Sequence, residues 1–325
     1  MAKLWINGDE SAKQMLGRVL KERPLLLLPH PLHRIPLGVS NIVEIVGPSP
    51  SAKTEILLQV AVSCILPKSW NGVQYGGLEH SVLFLDLDCR LDIFRLSQSL
   101  KLRITEANRL HKITKKQKGV AVSNAITEHQ CEYDDMDLFT ECMKRFSYTR
   151  CYDSFEFLAA LKVLHHKLEK ERNTDGSGVH VLMIDNIGAF YWINRGFSSL
   201  PQWNPNRKNL SLQSVFETVV PEIKKLLLLH PMLVLATKMV TYQVKSSYSS
   251  WASGVASEVN IGKGTYREYM PSIWQSFVTR RILVRASDDK RKLQDQVCYL
   301  AEWLLPALNL TDEFVVGDAG ILTLL

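Results

Sequence analysis

The stretch that most constrains the fold is Gly47–Thr54, which reads GPSPSAKT and directly follows the apolar run NIVEIV at 41–46. It nearly matches the phosphate-binding loop G-x-x-x-x-G-K-[ST], which connects a buried strand to a helix. Residues 53–66 carry apolar side chains at helical spacing, and Pro67 ends that pattern. The stretch therefore predicts a strand, a loop and a helix, which is the first unit of an α/β fold with a parallel sheet.

A phosphate-binding loop holds its ligand through backbone N–H groups that converge at a helix N-terminus, where the helix dipole also favours anions. The lysine reaches the β and γ phosphates, and the serine or threonine hydroxyl holds Mg²⁺. The candidate nucleotide-binding residues are Gly47, Ser51, Ala52, Lys53 and Thr54. The ligands expected for such a loop are ATP and Mg²⁺, with Thr54 holding the metal.

Two departures from the motif weaken this interpretation. Ala52 occupies the place of the second glycine and adds a Cβ where backbone and phosphate come closest. Pro48 and Pro50 each remove an N–H donor, although the N–H groups of 51–54 still suit a phosphate. On these residues alone, a nucleotide site and a turn that needs no ligand are equally well supported.

A second candidate is Asp185, which ends the apolar run HVLMID at 180–185. An acidic residue at the end of such a strand is where a phosphate-loop ATPase holds Mg²⁺, here through water. A polar residue at the exit of a strand is also common without any ligand. The position of Asp185, roughly 130 residues after the loop, favours the metal-binding interpretation modestly.

The apolar runs between 41 and 237 alternate with helical patterns. Further strands are predicted at 81–86, 145–150, 178–185 and 231–237, helices at 90–100, 154–172 and 212–230, and a basic loop or frayed helix end at 109–119. The last runs, RRILVRA, DQVCYLAEW and EFVVGDAGILTL, have little helix between them. They predict antiparallel pairs appended to a parallel sheet.

The simplest division of the chain is an N-terminal arm at 1–37, with a short helix at 9–22, and one domain at 38–325. With 46% hydrophobic residues, that domain can bury a full core. The net charge of +6 permits nucleic-acid contact without requiring it. The six cysteines form no C-x-x-C pair, which argues against a structural zinc site or a disulfide framework. We expect a soluble intracellular protein, because the N-terminus does not have the pattern of a signal peptide.

Several stretches, in order, resemble one known family. They are VEIVGPSPSAKTEILLQVAVSCILPKS (43–69), VLFLDLDCRLDIFRL (82–96), MIDNIGAFYWINR (183–195), LVLATKM (233–239) and FVVGDAGI (314–321). Together they are similar to the RecA-like recombinase paralogues of eukaryotic homologous recombination, and CILPKS and AFYWI are typical of one paralogue. The resemblance covers about residues 38 to 325. It implies a RecA-like P-loop ATPase core, with a mainly parallel sheet between helices.

The resemblance also implies roles for single residues. The family's active members place a glutamate after the second strand to position the attacking water, and the matching residue here is Asp88, one methylene shorter. Their glutamine sensor of the γ-phosphate corresponds to Met239, whose thioether is only a weak acceptor. With Ala52, these are three departures at three functional positions. We therefore expect Asp88 to be a degenerate catalytic residue and ATP hydrolysis to be feeble or absent.

The family's DNA-facing loops should correspond to about 194–210 and 240–267. Both segments interleave aromatic and basic side chains, as sequence-tolerant single-strand binding requires. The candidate DNA-binding residues are Lys245, Trp251, Lys263 and Arg267. An ordinary surface loop explains the second segment equally well and the first slightly better.

Three functions follow from these observations. The leading hypothesis is a non-catalytic or weakly catalytic subunit of a recombinase-paralogue complex, which would support repair of DNA double-strand breaks and meiotic recombination. The resemblance implies another recombinase paralogue as partner, DNA contact through the complex, and a nuclear location. The alternatives are a DNA-stimulated ATPase acting on single-stranded or branched DNA, and a simple DNA-binding module with salt-dependent affinity.

Overall fold

The computed structural model describes residues 25–117, 127–175, 178–198, 211–242, 266–287 and 297–324, together with Ser11, Ala12 and Gln14. The strands are β1 Leu25–Leu26, β2 Leu37–Gly38, β3 Ile42–Gly47, β4 Ser69–Trp70, β5 Val73–Gln74, β6 Ser81–Asp86, β7 Phe146–Arg150, β8 His180–Asp185, β9 Met232–Met239, β10 Thr241–Tyr242, β11 Tyr266–Arg267, β12 Arg280–Ala286, β13 Cys298–Leu305, β14 Ala307–Gly317 and β15 Gly320–Thr323. The helices are α1 Lys53–Ile65, α2 Ile93–Gln117, α3 Thr127–Lys144, α4 Ser154–Asp175, α5 Tyr191–Ser198, α6 Leu212–Leu229 and α7 Ser272–Phe277, with a 3-10 turn at Leu32–Arg34.

A nine-stranded sheet forms the centre of the molecule, in the order β15-β14-β13-β12-β3-β9-β8-β6-β7. The six strands from β12 to β7 run parallel to one another. The three remaining strands, β13 to β15, continue the sheet in antiparallel fashion. The predicted α/β class, with a mainly parallel sheet and antiparallel C-terminal strands, is therefore confirmed.

The central strands are buried because helices cover both faces of the sheet. In β3, Val43 and Ile45 pack into the apolar core under α1, whereas Ile42 packs into the core under α6. Alternate side chains of one strand thus enter opposite cores. Because both faces are covered, these strands read as continuous apolar runs rather than as alternating ones.

The segment before β3 also packs on the core. β1 pairs with β2, and Leu26, Leu32 and Leu37 are buried in the same core cluster as α1. The boundary drawn at residue 38 stays a prediction. The predicted helix at 9–22 lies outside the described residues, apart from the three named above.

The basic segment at 109–119, predicted as a loop or a frayed helix end, forms the end of α2, which continues to Gln117. Two details of the predicted C-terminal strands were wrong. RRILVRA forms β12, which pairs with β3 in parallel and with β13 in antiparallel orientation. EFVVGDAGILTL is divided between the end of β14 and β15, which form a hairpin.

In the part of the chain that the structure describes, the helices are too short or too polar to cross a lipid bilayer.

Candidate functional site

The carboxyl ends of four parallel strands meet at one edge of the sheet and bring the predicted site residues together. Gly47 at the end of β3 is opposite Met239 at the end of β9. Asp185 at the end of β8 is opposite Asp86 at the end of β6. Ligands of open α/β sheets bind outside the carboxyl ends of the strands, so this edge is the candidate site.

Lys53 is folded onto the loop that precedes it. Its ammonium group donates hydrogen bonds to the carbonyl oxygens of Gly47 and Pro48, at 3.0 and 2.9 Å, and to Oγ of Ser51 at 2.7 Å. The residue is only 9% exposed. Burial lowers the pKa of Lys53 to about 8, while the charges of Asp185 and Asp88 oppose that shift. The lysine therefore remains mainly protonated at neutral pH and holds the loop closed around its charge.

Gly47 is required by packing within the sheet. A Cβ at this position would lie 2.1 Å from the carbonyl oxygen of Val284 in β12 and 3.0 Å from Oγ of Ser51. No side chain can be accommodated against a backbone atom at that distance. The first glycine of the motif therefore serves the contact between β3 and β12, whether or not a phosphate binds.

The backbone at Ala52 does not require glycine. Its φ and ψ are −75° and 25°, so φ is negative as in other L residues, and its carbonyl accepts a hydrogen bond from the N–H of Ile56. The residue is buried and belongs to the core cluster under α1. The methyl group of Ala52 therefore packs into the core, and α1 begins directly after this residue.

Asp185 is buried at the end of β8. Its Oδ2 accepts a hydrogen bond from the hydroxyl of Thr54 at 2.7 Å, and its Oδ1 accepts from the hydroxyl of Thr237 in β9. Burial raises the pKa of Asp185, although both hydroxyl hydrogen bonds favour the charged form. The structure thus joins Thr54 and Asp185, the two residues that the sequence analysis assigned to Mg²⁺.

Asp88 belongs to the loop after β6 and lies beside the end of β8. Its Oδ2 accepts a hydrogen bond from the side-chain amide of Asn186 at 3.3 Å, and its N–H donates to the carbonyl of Asp185 at 3.2 Å. The nearby Asp86 is buried and accepts from Tyr148 and from the N–H groups that follow the loop. Asp86 is therefore a structural cap of that loop, and Asp88 is the acid that remains near the candidate site.

Met239 stands where β9 leaves the sheet. Its carbonyl accepts a hydrogen bond from the hydroxyl of Tyr269 at 2.8 Å. Tyr269 also fills the space next to Gly188, where an added Cβ would lie 2.3 Å from the tyrosine oxygen. These contacts fix the start of the segment that leads to the second predicted DNA-facing loop.

The predicted DNA-binding residues fall mostly outside the described part of the chain. Lys245, Trp251 and Lys263 lie outside it, and Arg267 lies in β11, opposite Thr241. β10 and β11 form a short antiparallel pair at the base of the segment 243–265. The assignment of these four residues to DNA stays a prediction.

Sequence reasoning missed three residues that shape the site: Thr237, Asn186 and Tyr269. Thr237 could have been found, because it is a polar residue near the end of a predicted buried strand. Asn186 directly follows the predicted metal-binding acid. No spacing rule pointed to Tyr269, which follows β11 and returns to the end of β9.

The residues present fit ATP with Mg²⁺ at the level of donor chemistry. The Thr54 hydroxyl and the Asp185 carboxylate are hard oxygen ligands that already touch, which suits a magnesium ion held partly through water. The first N–H groups of α1 have no carbonyl partner within the helix and face the same loop as the Lys53 ammonium group. Bound Mg²⁺ would supply charge neutralisation to the phosphates.

Comparison with curated proteins gives two informative relatives. The chain is 49% identical to the DNA repair protein XRCC2 homolog of Arabidopsis thaliana, over an alignment of 339 residues that covers 99% of this chain and 90% of that protein. It is 26% identical to the DNA repair protein XRCC2 of Mus musculus over 254 residues, 77% of this chain and 74% of that protein. No family model matches the chain. The identity and coverage of the first relative show that this chain belongs to the XRCC2 family of DNA repair proteins.

Proposed function

We propose that this chain is a non-catalytic or weakly catalytic, RecA-like subunit of a recombinase-paralogue complex. In this proposal it supports homologous-recombination repair of DNA double-strand breaks and meiotic recombination. Its relatives are named DNA repair proteins, which supports a role in repair. The phosphate-loop-like turn after β3 and the acid ending β8 support the RecA-like part.

The observation that carries the weak-catalysis part is the placement of Asp88. Its carboxylate accepts from Asn186 while its backbone is tied to β8, so the short side chain is held against the sheet. A water-positioning base must come within about 3 Å of the attacking water. An aspartate is one methylene too short for a site built around glutamate. Losing one preorganised contact of this kind costs about 10²–10³-fold in rate.

Met239 supports the same conclusion from the neighbouring strand. Its thioether cannot donate a hydrogen bond to a phosphate, and its carbonyl is held by Tyr269. The link between nucleotide state and the following loop, which the family implies at this position, is therefore weakened. The effects of Asp88 and Met239 on the rate of hydrolysis need not be additive, but neither residue restores the function that the other lacks.

Nucleotide binding is a separate part of the proposal. Lys53 and the N–H groups at the start of α1 would hold the phosphates, and Thr54 with Asp185 would hold Mg²⁺. Ala52 does not oppose this role, because its methyl group is packed in the core. In this proposal bound nucleotide stabilises the loop and the surface around it rather than being consumed.

The remaining parts concern partners and place. We propose that another recombinase paralogue binds this chain, that DNA is contacted through the complex, and that the complex acts in the nucleus. Co-purification with candidate paralogues, followed by assay for retained nucleotide and salt-dependent DNA binding, tests these parts together. Failure of every paralogue to co-purify would contradict the assembly role.

The alternative is a DNA-stimulated ATPase, and the intact Thr54–Asp185 contact is the observation that favours it. Phosphate release by the full chain separates the two functions, with Lys53→Ala as the control. We expect the two proteins to release phosphate at the same rate, with or without single-stranded DNA. A rate well above the control that rises with DNA would overturn the weak-catalysis proposal in favour of the ATPase.

A further inference from the structure

Three side chains that could ligate a metal ion cluster outside the site described above. His30 lies two residues before the 3-10 turn Leu32–Arg34, His33 lies within that turn, and Asp312 comes from β14. One ligand atom from each of the three residues lies within 4.8 Å of the others. His30 Nε2 is 3.6 Å from Oδ1 of Asp312, and the two imidazole rings stack with centroids 4.8 Å apart.

The chemistry of His30 is unusual for a structural histidine. Both of its ring nitrogens are buried, and neither has a hydrogen-bond partner among the described residues. A buried polar atom without a partner is costly and calls for an explanation. A bound metal ion is one such explanation, because an imidazole nitrogen can ligate a metal.

Asp312 supplies the anionic ligand. The residue is buried, and its carboxylate is held in place by Arg34. Arg34 donates from Nε to both carboxylate oxygens and from Nη2 to Oδ1. A carboxylate offers about four acceptor positions, so a lone pair remains for a further ligand. Arg34 then acts as the outer partner that orients the carboxylate.

We propose that His30, His33 and Asp312 bind one divalent transition-metal ion, with Zn²⁺ as the expected occupant. Two imidazoles and one carboxylate match the ligand set of three-protein-ligand zinc sites, which keep water in the fourth position. With Zn–N distances of about 2.0–2.1 Å, tetrahedral ligand atoms lie about 3.3–3.4 Å apart. The His30–Asp312 distance is already close to this value. The ligand atoms now lie within 4.8 Å of one another, so the exposed His33 ring has to move inward by up to about 1.5 Å to reach the tetrahedral separation.

A bound ion would connect the segment between β1 and β2 to strand β14 of the central sheet. His30 and His33 belong to the segment that carries Leu26 and Leu32 into the core, and Asp312 belongs to an antiparallel strand of the central sheet. A bound ion would tie the N-terminal segment to β14, and its binding energy would add to the stability of the fold. Cysteine spacing could not reveal this site, because it contains no cysteine.

The test uses the full chain without a polyhistidine tag, stripped with EDTA and desalted. Co²⁺ is titrated while visible absorption is recorded, and Zn²⁺ then displaces it. We expect one saturating equivalent, and a rise in melting temperature with Zn²⁺ on the order of 5 °C that EDTA reverses. Mg²⁺ should cause no such rise through this site, because it prefers oxygen ligands.

The test variant is His33→Ala, and the matched control is His166→Ala, which removes another exposed histidine. In EDTA both variants should melt with the parent chain, which shows that the fold is retained. Cobalt affinity should fall by roughly tenfold or more in His33→Ala only. Equal affinities in the two variants, an intense thiolate charge-transfer band from cysteine ligation, or no saturable binding would each overturn the proposal.

Discussion

Lys238→Met should destabilise the protein far more than the loss of an exposed charge. Lys238 is only 4% exposed and pairs with the fully buried Glu44 of β3 at 3.3 Å and with Glu268 at 2.7 Å. Arg281 of β12 completes the cluster through a 2.6 Å contact with Glu44. Two acids and two bases thus balance one another beneath the segment that leaves β9. Removing Lys238 leaves two acids facing one base.

The magnitude follows from burial rather than from distance. Removing one partner of a buried ion pair costs about 3–5 kcal/mol, because the remaining charge stays desolvated without compensation. Helix α6 offers a comparison pair, Lys225 and Glu222, at 2.8 Å, in which the lysine is 61% exposed and the glutamate 17% exposed. An exposed pair at the same distance contributes only about 0.3–0.5 kcal/mol. Lys225→Met is therefore the control.

Urea unfolding at pH 7 measures both variants, and a double-mutant cycle with Glu268→Gln isolates the pair. Lys238→Met should lower the free energy of unfolding by about 3–5 kcal/mol, and the control by less than about 1 kcal/mol. The double variant should cost less than the sum of its parts by about 1–3 kcal/mol, since it restores the charge balance. Equal effects of Lys238→Met and Lys225→Met would refute this account of the buried cluster.

Two further predictions concern the loop and the opposite end of the sheet. Ala52→Gly should lower the free energy of unfolding by about 1 kcal/mol. The variant loses one buried methyl group and gains backbone freedom in the unfolded chain, and the slightly better helix N-cap offsets only a small part of this loss. Phosphate release should stay at the Lys53→Ala level, and a restored ATPase would show that Ala52 had blocked catalysis. Burial is the main cause that lowers the pKa of His180 from 6.5 to about 4 in the folded protein. The neutral histidine therefore contributes fully to the free energy of unfolding above pH 6.5, and this contribution is lost as the pH falls toward 4. Urea unfolding at pH 7 and pH 5 should show a loss of about 2 kcal/mol that His180→Gln lacks; equal losses in both proteins would contradict it.

The sequence predicted the class of the fold because local patterns carry it. Apolar runs that alternate with helical spacing place β3, β6, β8 and β9 in a parallel sheet, and each of these strands forms where it was expected. The local pattern of RRILVRA, which forms β12, does not predict which strand it pairs with. β12 lies beside β3 because the chain returns there after more than 230 residues, and only tertiary packing decides that neighbour.

The candidate site was predictable to the extent that it depends on strand ends. Asp185 and the loop after β3 meet because parallel strands present their carboxyl ends at one edge. The partners that set the chemistry are not in the motif. Thr237 of β9 donates a hydrogen bond to Asp185, and Asn186, which follows β8, donates one to Asp88. These hydrogen bonds fix the positions of the two carboxylates.

The two motif positions occupied by Gly47 and Ala52 show why matching residues to a consensus is not enough. Gly47 matches, yet the carbonyl of Val284 alone would require glycine there. Ala52 departs, yet its φ is negative, so glycine is not required there, and its methyl group packs into the core. The consensus glycine at position 47 therefore adds little support for phosphate binding, and the alanine at position 52 takes little support away. In our proposal, a working site is separated from an inactive one by the short side chain of Asp88 and the thioether of Met239, and the rate of phosphate release tests that proposal.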